Sequence, residues 1–381
     1  MQKKKKIRII VTILLFFIYF IAAARPVPRE MVLAAGWISS LANLQEASGS
    51  PQQSDRRLDQ PSDRHFPFSL GSHFGYVNSS GQFIINKIMT NNIYLSQNMW
   101  AEYSAEPETI EIKNILEETI ISIEGARGYP VLLDNRVFIL GSEQNSLSEI
   151  DAGGNVIWSY EFGAPLTCID VAADIVLTGS LDGVIEVFDS SGERIFYFEP
   201  GGSRYAVILG CAISGSGSHI GIISGIDQQR FLLLERFGST GGDYRVISHE
   251  FLETGFRRPV RISFVDEDRR IVYERAGGVG SYNIRTRQGM FIPLDGEIVA
   301  IDESGDDGFF FLVTSHSEMN KNLVGIKFPQ DRVPFFGTSN MLDTVFLKAP
   351  FKSDDIFLSR DGSMLVAGGG TVLISFVLEE K

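Results

Sequence analysis

The 381-residue sequence is poor in the residues from which most soluble active centres are built. It has two cysteines and five histidines. The cysteines, Cys168 and Cys211, form no CxxC, and His65, His73, His219, His249 and His316 show no zinc-ligand spacing, so a zinc-finger or redox-motif protein is excluded. Three tryptophans and 21% charged residues leave little for long solvated helices, whereas 38 glycines and 28 phenylalanines suit short strands joined by tight turns. Basic residues are also scarce where a polyanion would need them. Ten of the 34 lysines and arginines lie in the first 65 residues with five of the 47 acids, leaving 24 basic against 42 acidic, a balance of −18. Such a surface repels phosphate backbones, and no nucleic-acid partner is expected.

The N-terminus runs against this trend. Lys3 to Lys6 and Arg8 precede Ile9 to Ala24, an uncharged apolar run that reads as an export signal or a membrane anchor over residues 1–24. Ala22 and Ala24 suit cleavage, while Arg25 and Pro26 favour retention. In both cases the lysine cluster stays cytoplasmic and the bulk of the chain is expected outside, in the periplasm or its equivalent, or secreted if the segment is cut. No cysteine follows the run, which excludes a lipid-attached form. Residues 25–65 are expected to hold a short helix, with Leu33, Trp37, Leu41 and Leu44 on one stripe, and then a flexible Ser/Gln/Asp/Arg/Pro spacer.

From Phe66 the chain becomes apolar runs broken by Gly, Asp, Asn and Ser. Leu166 to Val171, Ile175 to Gly179, Val184 to Asp189 and Arg194 to Glu199 read as four strands joined by hairpin turns. The turn Asp189-Ser-Ser-Gly192 recurs as Asp151-Ala-Gly-Gly154 and Asn78-Ser-Ser-Gly81, with another near Asn114 to Glu118. Later turns fall near Gly238 to Asp243, Thr286 to Gly289 and Pro329 to Arg332. Four strands per unit of about 40 residues predict an all-β fold, a β-propeller over 66–381, with seven blades expected and eight allowed. Gln82 to Asn86 is expected to close the ring by completing the last blade, which lacks a fourth strand at Lys381. On this reading Trp37 lies outside the propeller, and Trp100 and Trp158 pack between blades.

Ser148-Glu-Ile-Asp-Ala-Gly-Gly-Asn-Val-Ile-Trp158 resembles the repeat of quinoprotein-type (PQQ-like) propellers, and Phe357-Leu-Ser-Arg-Asp-Gly-Ser-Met-Leu-Val-Ala-Gly-Gly369 resembles the opening of a WD40-type blade. In architecture this is similar to the propeller of the outer-membrane protein assembly machinery. The first resemblance implies either an envelope interaction module or a PQQ-dependent enzyme, and the vicinal cysteines common in such enzymes are absent. No catalytic residue and no cofactor is assigned. Asp302, Ser304 and Asp306 alternate like the first ligands of a calcium loop, but Gly308 comes one place late and the twelfth position is Val313, so a hairpin turn competes with a metal site. Ser216, Ser218 and His219 could suggest nucleophilic chemistry but lack a Gly-x-Ser-x-Gly elbow. The Gly277-Gly-Val-Gly280 and Gly368-Gly-Gly370 runs lack the helix of a phosphate loop. The expected function is a non-enzymatic protein-interaction or scaffold module in the cell envelope. A PQQ-like or glycan-active enzyme and a ligand-sensing propeller are the alternatives.

Overall fold

The computed structural model describes residues 12–14, 16–17, 19, 31–44, 64–172, 174–238, 243–253, 255–302, 308–328 and 344–380. Contacts divide the chain into two compact units, Met1–Ala34 with Leu378–Lys381, and Ala35–Val377. In the first, residues 12–14, 16–17 and 19 are helical, and among the described residues no helix is long and apolar enough to cross a membrane. The expected spacer and most of the expected signal lie outside the described residues.

The second unit is an all-β ring of eight sheets. Seven have four antiparallel strands, and one, made of His65–Leu70, His73–Asn78 and Phe83–Ile88, has three. The blades, counted from that one, span residues 65–88, 92–124, 128–161, 166–198, 208–251, 262–293, 297–352 and 356–380. The predicted seven is therefore corrected to eight. The count fell short because the first unit is shorter than the repeat, and its strand His73–Asn78 had no place in a four-stranded scheme. The clearest predicted unit is found as Leu166–Ala172, Ile175–Ser180, Ile185–Phe188 and Arg194–Phe198. The core lies between sheets: Ile175, Leu177 and Val187 of the fourth blade pack on Ile213, Ile220 and Leu234 of the fifth.

The turn repeat has a common mechanism. Asp189 Oδ1 accepts the amide N–H of Ser191 (2.9 Å) and Glu193 (3.0 Å), and Gly192 takes φ +80°. Asp151 does the same for Gly153 (2.8 Å) and Asn155 (2.9 Å), and Asn78 for Ser80 (3.0 Å) and Gln82 (2.9 Å). Asn114 repeats it with Leu116 and Glu118, but there Glu117 occupies the left-handed region at φ +66°. A short side-chain oxygen accepting two amides is what makes Asp and Asn turn formers.

Ring closure differs from expectation in two ways. Phe83–Ile88 pairs with His73–Asn78 within its own sheet, and the last blade is completed by Met31–Ser40 beside Val372–Glu380. The expected helix is thus a strand followed by a 3-10 turn at Leu41–Leu44. An unpaired sheet edge offers this segment backbone hydrogen bonds that a lone amphipathic helix lacks, and tertiary pairing overrides the helical spacing. Trp37 is accordingly part of the ring. Its amide donates to Ser375 Oγ (2.9 Å) and its indole N–H to the Ser79 carbonyl (2.9 Å), while its ring lies on Gly81. Trp158 lies on Gly192 in the same manner, and Trp100 packs against Phe74 with ring centroids 5.3 Å apart. A Cβ at Gly81 would stand 2.6 Å from the Trp37 ring, and at Gly192 2.5 Å from Trp158.

Trp37→Ala should lower unfolding free energy by about 2–3 kcal/mol in a urea titration, from lost burial and the cavity left. Gly81→Ala should cost about 1–2 kcal/mol from its positive φ alone, plus the clash. Because Trp37→Ala removes the clashing ring, the double variant should lose clearly less than the sum; strict additivity would refute this docking contact.

Candidate functional site

The three-stranded blade breaks the ring's regularity in direction as well as number. Arg64, just before His65–Leu70, meets Asp361 at the end of Ile356–Asp361, and Gly71, just after it, donates to Asp355 at that strand's start. The two inner strands are antiparallel. Elsewhere neighbouring inner strands run the same way: Arg261 lies beside Ile298 and Val299 at the strand starts, and Asp302 beside Arg360 at the ends. Among the described residues the first blade therefore begins at what is the second strand of the other blades, with no described strand inside His65–Leu70. Pro67, which has no amide N–H, sits in that strand, which suits an edge without a partner.

A cavity of about 490 Å³ lies there, framed by five blades. Pro67 forms one wall, Tyr94 to Gln97 and Leu132–Leu133 a second, and Ile301–Asp302 with Leu358 to Arg360 a third. The entrance is pinned by a reciprocal pair: Gln97 Nε2 donates to the His65 carbonyl (2.7 Å), and His65 Nε2 meets the Gln97 carbonyl (2.9 Å) and Asn98 Oδ1 (3.1 Å). Its deepest wall is an ion pair. Arg360 Nη1 donates to Asp302 Oδ2 (3.4 Å) and to the Phe309 carbonyl (3.0 Å), and Nε donates to the Gly362 carbonyl (2.8 Å). Both side chains are 1% exposed. The cavity thus offers apolar leucines and neutral hydrogen-bonding groups, with its charges compensated inside the wall.

This places the sequence's metal candidate. Asp302 faces the Arg360 guanidinium, and Ser304 and Asp306 lie outside the described residues. Among the described residues no group of three or more His, Cys, Asp or Glu gathers as a metal would require. Sequence spacing missed the pairing because the partner stands 58 positions away on the next blade.

The serine-histidine candidate lies in the turn between Ile208–Ile213 and His219–Ser224. Ser218 Oγ meets His219 Nδ1 at 2.8 Å and Ser216 Oγ at 2.7 Å. Of the carboxylates beside it, Glu235 is its cross-strand partner, and Asp268 accepts the amides of Gly215 (3.1 Å) and Ser216 (3.3 Å) and so holds the turn, while an orienting partner for the imidazole would have to meet the ring. Burial pushes the His219 pKa down, against the opposing pull of Glu235 and Asp268. The arrangement is a turn hydrogen-bond network.

Arginines gripping buried carboxylates link strands of the surrounding blades. Arg136 grips Glu149 with two bonds (2.8 and 2.7 Å), and Trp158 Nε1 donates to the same carboxylate (2.6 Å). Arg258 grips Glu274 likewise (3.0 and 2.5 Å), and Arg194 holds Glu186 (2.6 Å).

A family of β-propeller proteins matches residues 1–377. The chain belongs to that family. It is 26% identical over 300 residues to an uncharacterised protein of Treponema pallidum (strain Nichols), spanning 79% of this chain and 78% of that one. Among solved structures, BamB from Moraxella catarrhalis is similar with a TM-score of 0.56 at 12% identity, covering 91% of this chain and 100% of that one. The computationally designed Ika8 protein gives 0.56 at 14% identity, covering 82% and 97%. A chain of the mitotic checkpoint complex gives 0.50 at 13%, covering 85% and 98%. At these identities the likenesses speak for the propeller fold alone.

Asp302→Ala should cost about 3–5 kcal/mol by leaving Arg360 buried beside no carboxylate. The loss should be the same in calcium and in chelator; calcium-dependent stability would return Asp302 to the role of ligand. For His219, a depressed folded-state pKa means that its stability contribution is complete above pH about 6.5 and falls away as pH drops through the folded value. His219→Gln should flatten the loss of stability between pH 7 and 5, measured by thermal unfolding.

Proposed function

We propose that this propeller is exported, is held at the cytoplasmic membrane by its N-terminal segment, and binds a protein of the cell envelope without catalysing a reaction. The observation that carries the reading is the outer rim. Each of the eight outermost strands bears an exposed large apolar side chain, from Phe291 at 41% to Ile38 at 70%. Single exposed apolar residues are ordinary, but the rim also gathers them on adjoining blades. Val156 and Ile157 are consecutive and 59% and 52% exposed, and Ile120 lies on the neighbouring outer strand Thr119–Glu124. The Gly154 turn that leads into Val156 lies against the backbone of Ser122 in that strand, bringing the two together.

Three further points support a binding role. Strands pinned by arginines on buried carboxylates make a stiff frame on which a surface stays pre-organised. The lysine-led hydrophobic segment supports export. The similar chain within the mitotic checkpoint complex is a fold of this kind at work in an assembly. The cavity at the incomplete blade favours a second reading, a propeller that holds a small amphipathic ligand.

Crosslinking in intact cells, followed by purification of the full-length chain and mass identification, should recover a reproducible envelope protein. The triple variant Ile120→Ser, Val156→Ser, Ile157→Ser should lose that protein while its thermal unfolding stays within a few degrees of the parent. A preparation that brings no protein but carries a tightly bound small molecule would overturn the scaffold reading in favour of the second.

A further inference from the structure

The two cysteines stand on the inner strands of consecutive blades, Cys168 on Leu166–Ala172 and Cys211 on Ile208–Ile213. Asp170 Oδ2 accepts the Ile213 amide at 2.8 Å across this junction and so fixes the register of the two strands. Both strands run in the same direction, and residues two apart share a face. Stepping back two positions on each strand therefore brings Cys168 opposite Cys211. Both side chains enter the apolar cluster between the fourth and fifth blades, Cys211 buried within it and Cys168 partly exposed at its edge. Room for the Cys168 sulfur comes from its register partner Gly179, where a Cβ would stand 2.6 Å from that sulfur and 2.6 Å from Ile208.

We propose that Cys168 and Cys211 are a modification site: a dithiol that closes to a disulfide between two inner strands, with a disulfide-class oxidant as the co-reactant. The order of events follows from exposure. The Cys168 thiolate attacks the oxidant disulfide, breaking its S–S bond, releasing one thiolate and leaving a mixed disulfide on Cys168. The Cys211 thiolate then attacks the Cys168 sulfur and releases the second thiolate, so the oxidant gains two electrons and the two cysteine protons pass to solvent. Burial, and then the adjacent Cys168 thiol, push the Cys211 thiol up from its ordinary value, so the closing step should accelerate as pH rises toward the alkaline range. The product needs no membrane and no partner, and it stands apart from the binding role proposed above.

The test uses the full-length chain purified under reducing conditions and then equilibrated with oxidised glutathione. The expected result is an intact mass lower by two hydrogens, loss of both maleimide-reactive thiols, and a linked peptide pair containing Cys168 and Cys211 on non-reducing digestion. Melting temperature should rise by roughly 5 °C or more, because the bridge closes a loop of some forty residues in the unfolded chain. Cys168→Ser should leave Cys211 largely unmodified, whereas Cys211→Ser should trap glutathione on Cys168 as a stable mixed disulfide. Two thiols that remain alkylatable after oxidation, or a bond found only between two chains, would overturn the proposal. Should Cys211→Ser fold poorly, the linked peptide from the parent protein decides the question alone.

Discussion

Two junctions of this ring, including the one that closes it, are set by a contact between an indole and a piece of bare backbone. A Trp on the outer strand of one blade can lie flat only where the turn of the next blade presents no Cβ, and that turn needs a positive φ at the same residue. Gly81 and Gly192 meet both demands, under Trp37 and Trp158. The upstream Asp or Asn makes the turn by accepting two amides, and the glycine makes the docking surface. A four-residue motif thus sets local chain reversal and blade-to-blade packing together. Where the motif weakens, as at Asn114, the positive φ falls to Glu117 and the corresponding dock is absent. Glu117 instead reaches Lys87 on the neighbouring blade.

Strands and turns of the middle blades were legible because both signals are local. Asp189-Ser-Ser-Gly192 announces its hairpin within four residues, and Leu166 to Glu199 was read almost strand for strand. The limits of the reading were long-range. Trp37 at helical spacing from Leu33 and Leu41 suits a helix and a strand equally; the deciding fact is the unpaired edge of Val372–Glu380, far along the chain. The eighth blade was obscured because its counterpart at the start of the ring shows three strands among the described residues, one fewer than the repeat used for counting. The candidate site was illegible too, since its cavity is walled by residues of five blades that only the closed ring brings together.

The charged side chains show a similar division. Asp302 in isolation reads as a hydrophilic turn residue, and alternation with Ser304 and Asp306 suggests a ligand loop. Within the fold it is buried against Arg360, and the pair is tolerable only because carbonyls of Phe309 and Gly362 take further guanidinium hydrogens. The Glu149 and Glu274 pairs follow the same pattern, the Ile175 and Pro259 carbonyls taking a further hydrogen from Arg136 and Arg258. The Asp302 charge that reads in sequence as available for chemistry is here spent on orienting strands.

The closing strand also imposes an order in time. Trp37 and the serine that accepts its amide, Ser375, are 338 residues apart. A chain made at about 5–20 residues per second exposes the first of these roughly 20–70 s before the second exists. During that interval the earliest strand has no sheet to join, and a tryptophan and a strand edge destined for the rim are open to other chains. A ring sealed by Met31–Ser40 can therefore close only after its last blade has been made.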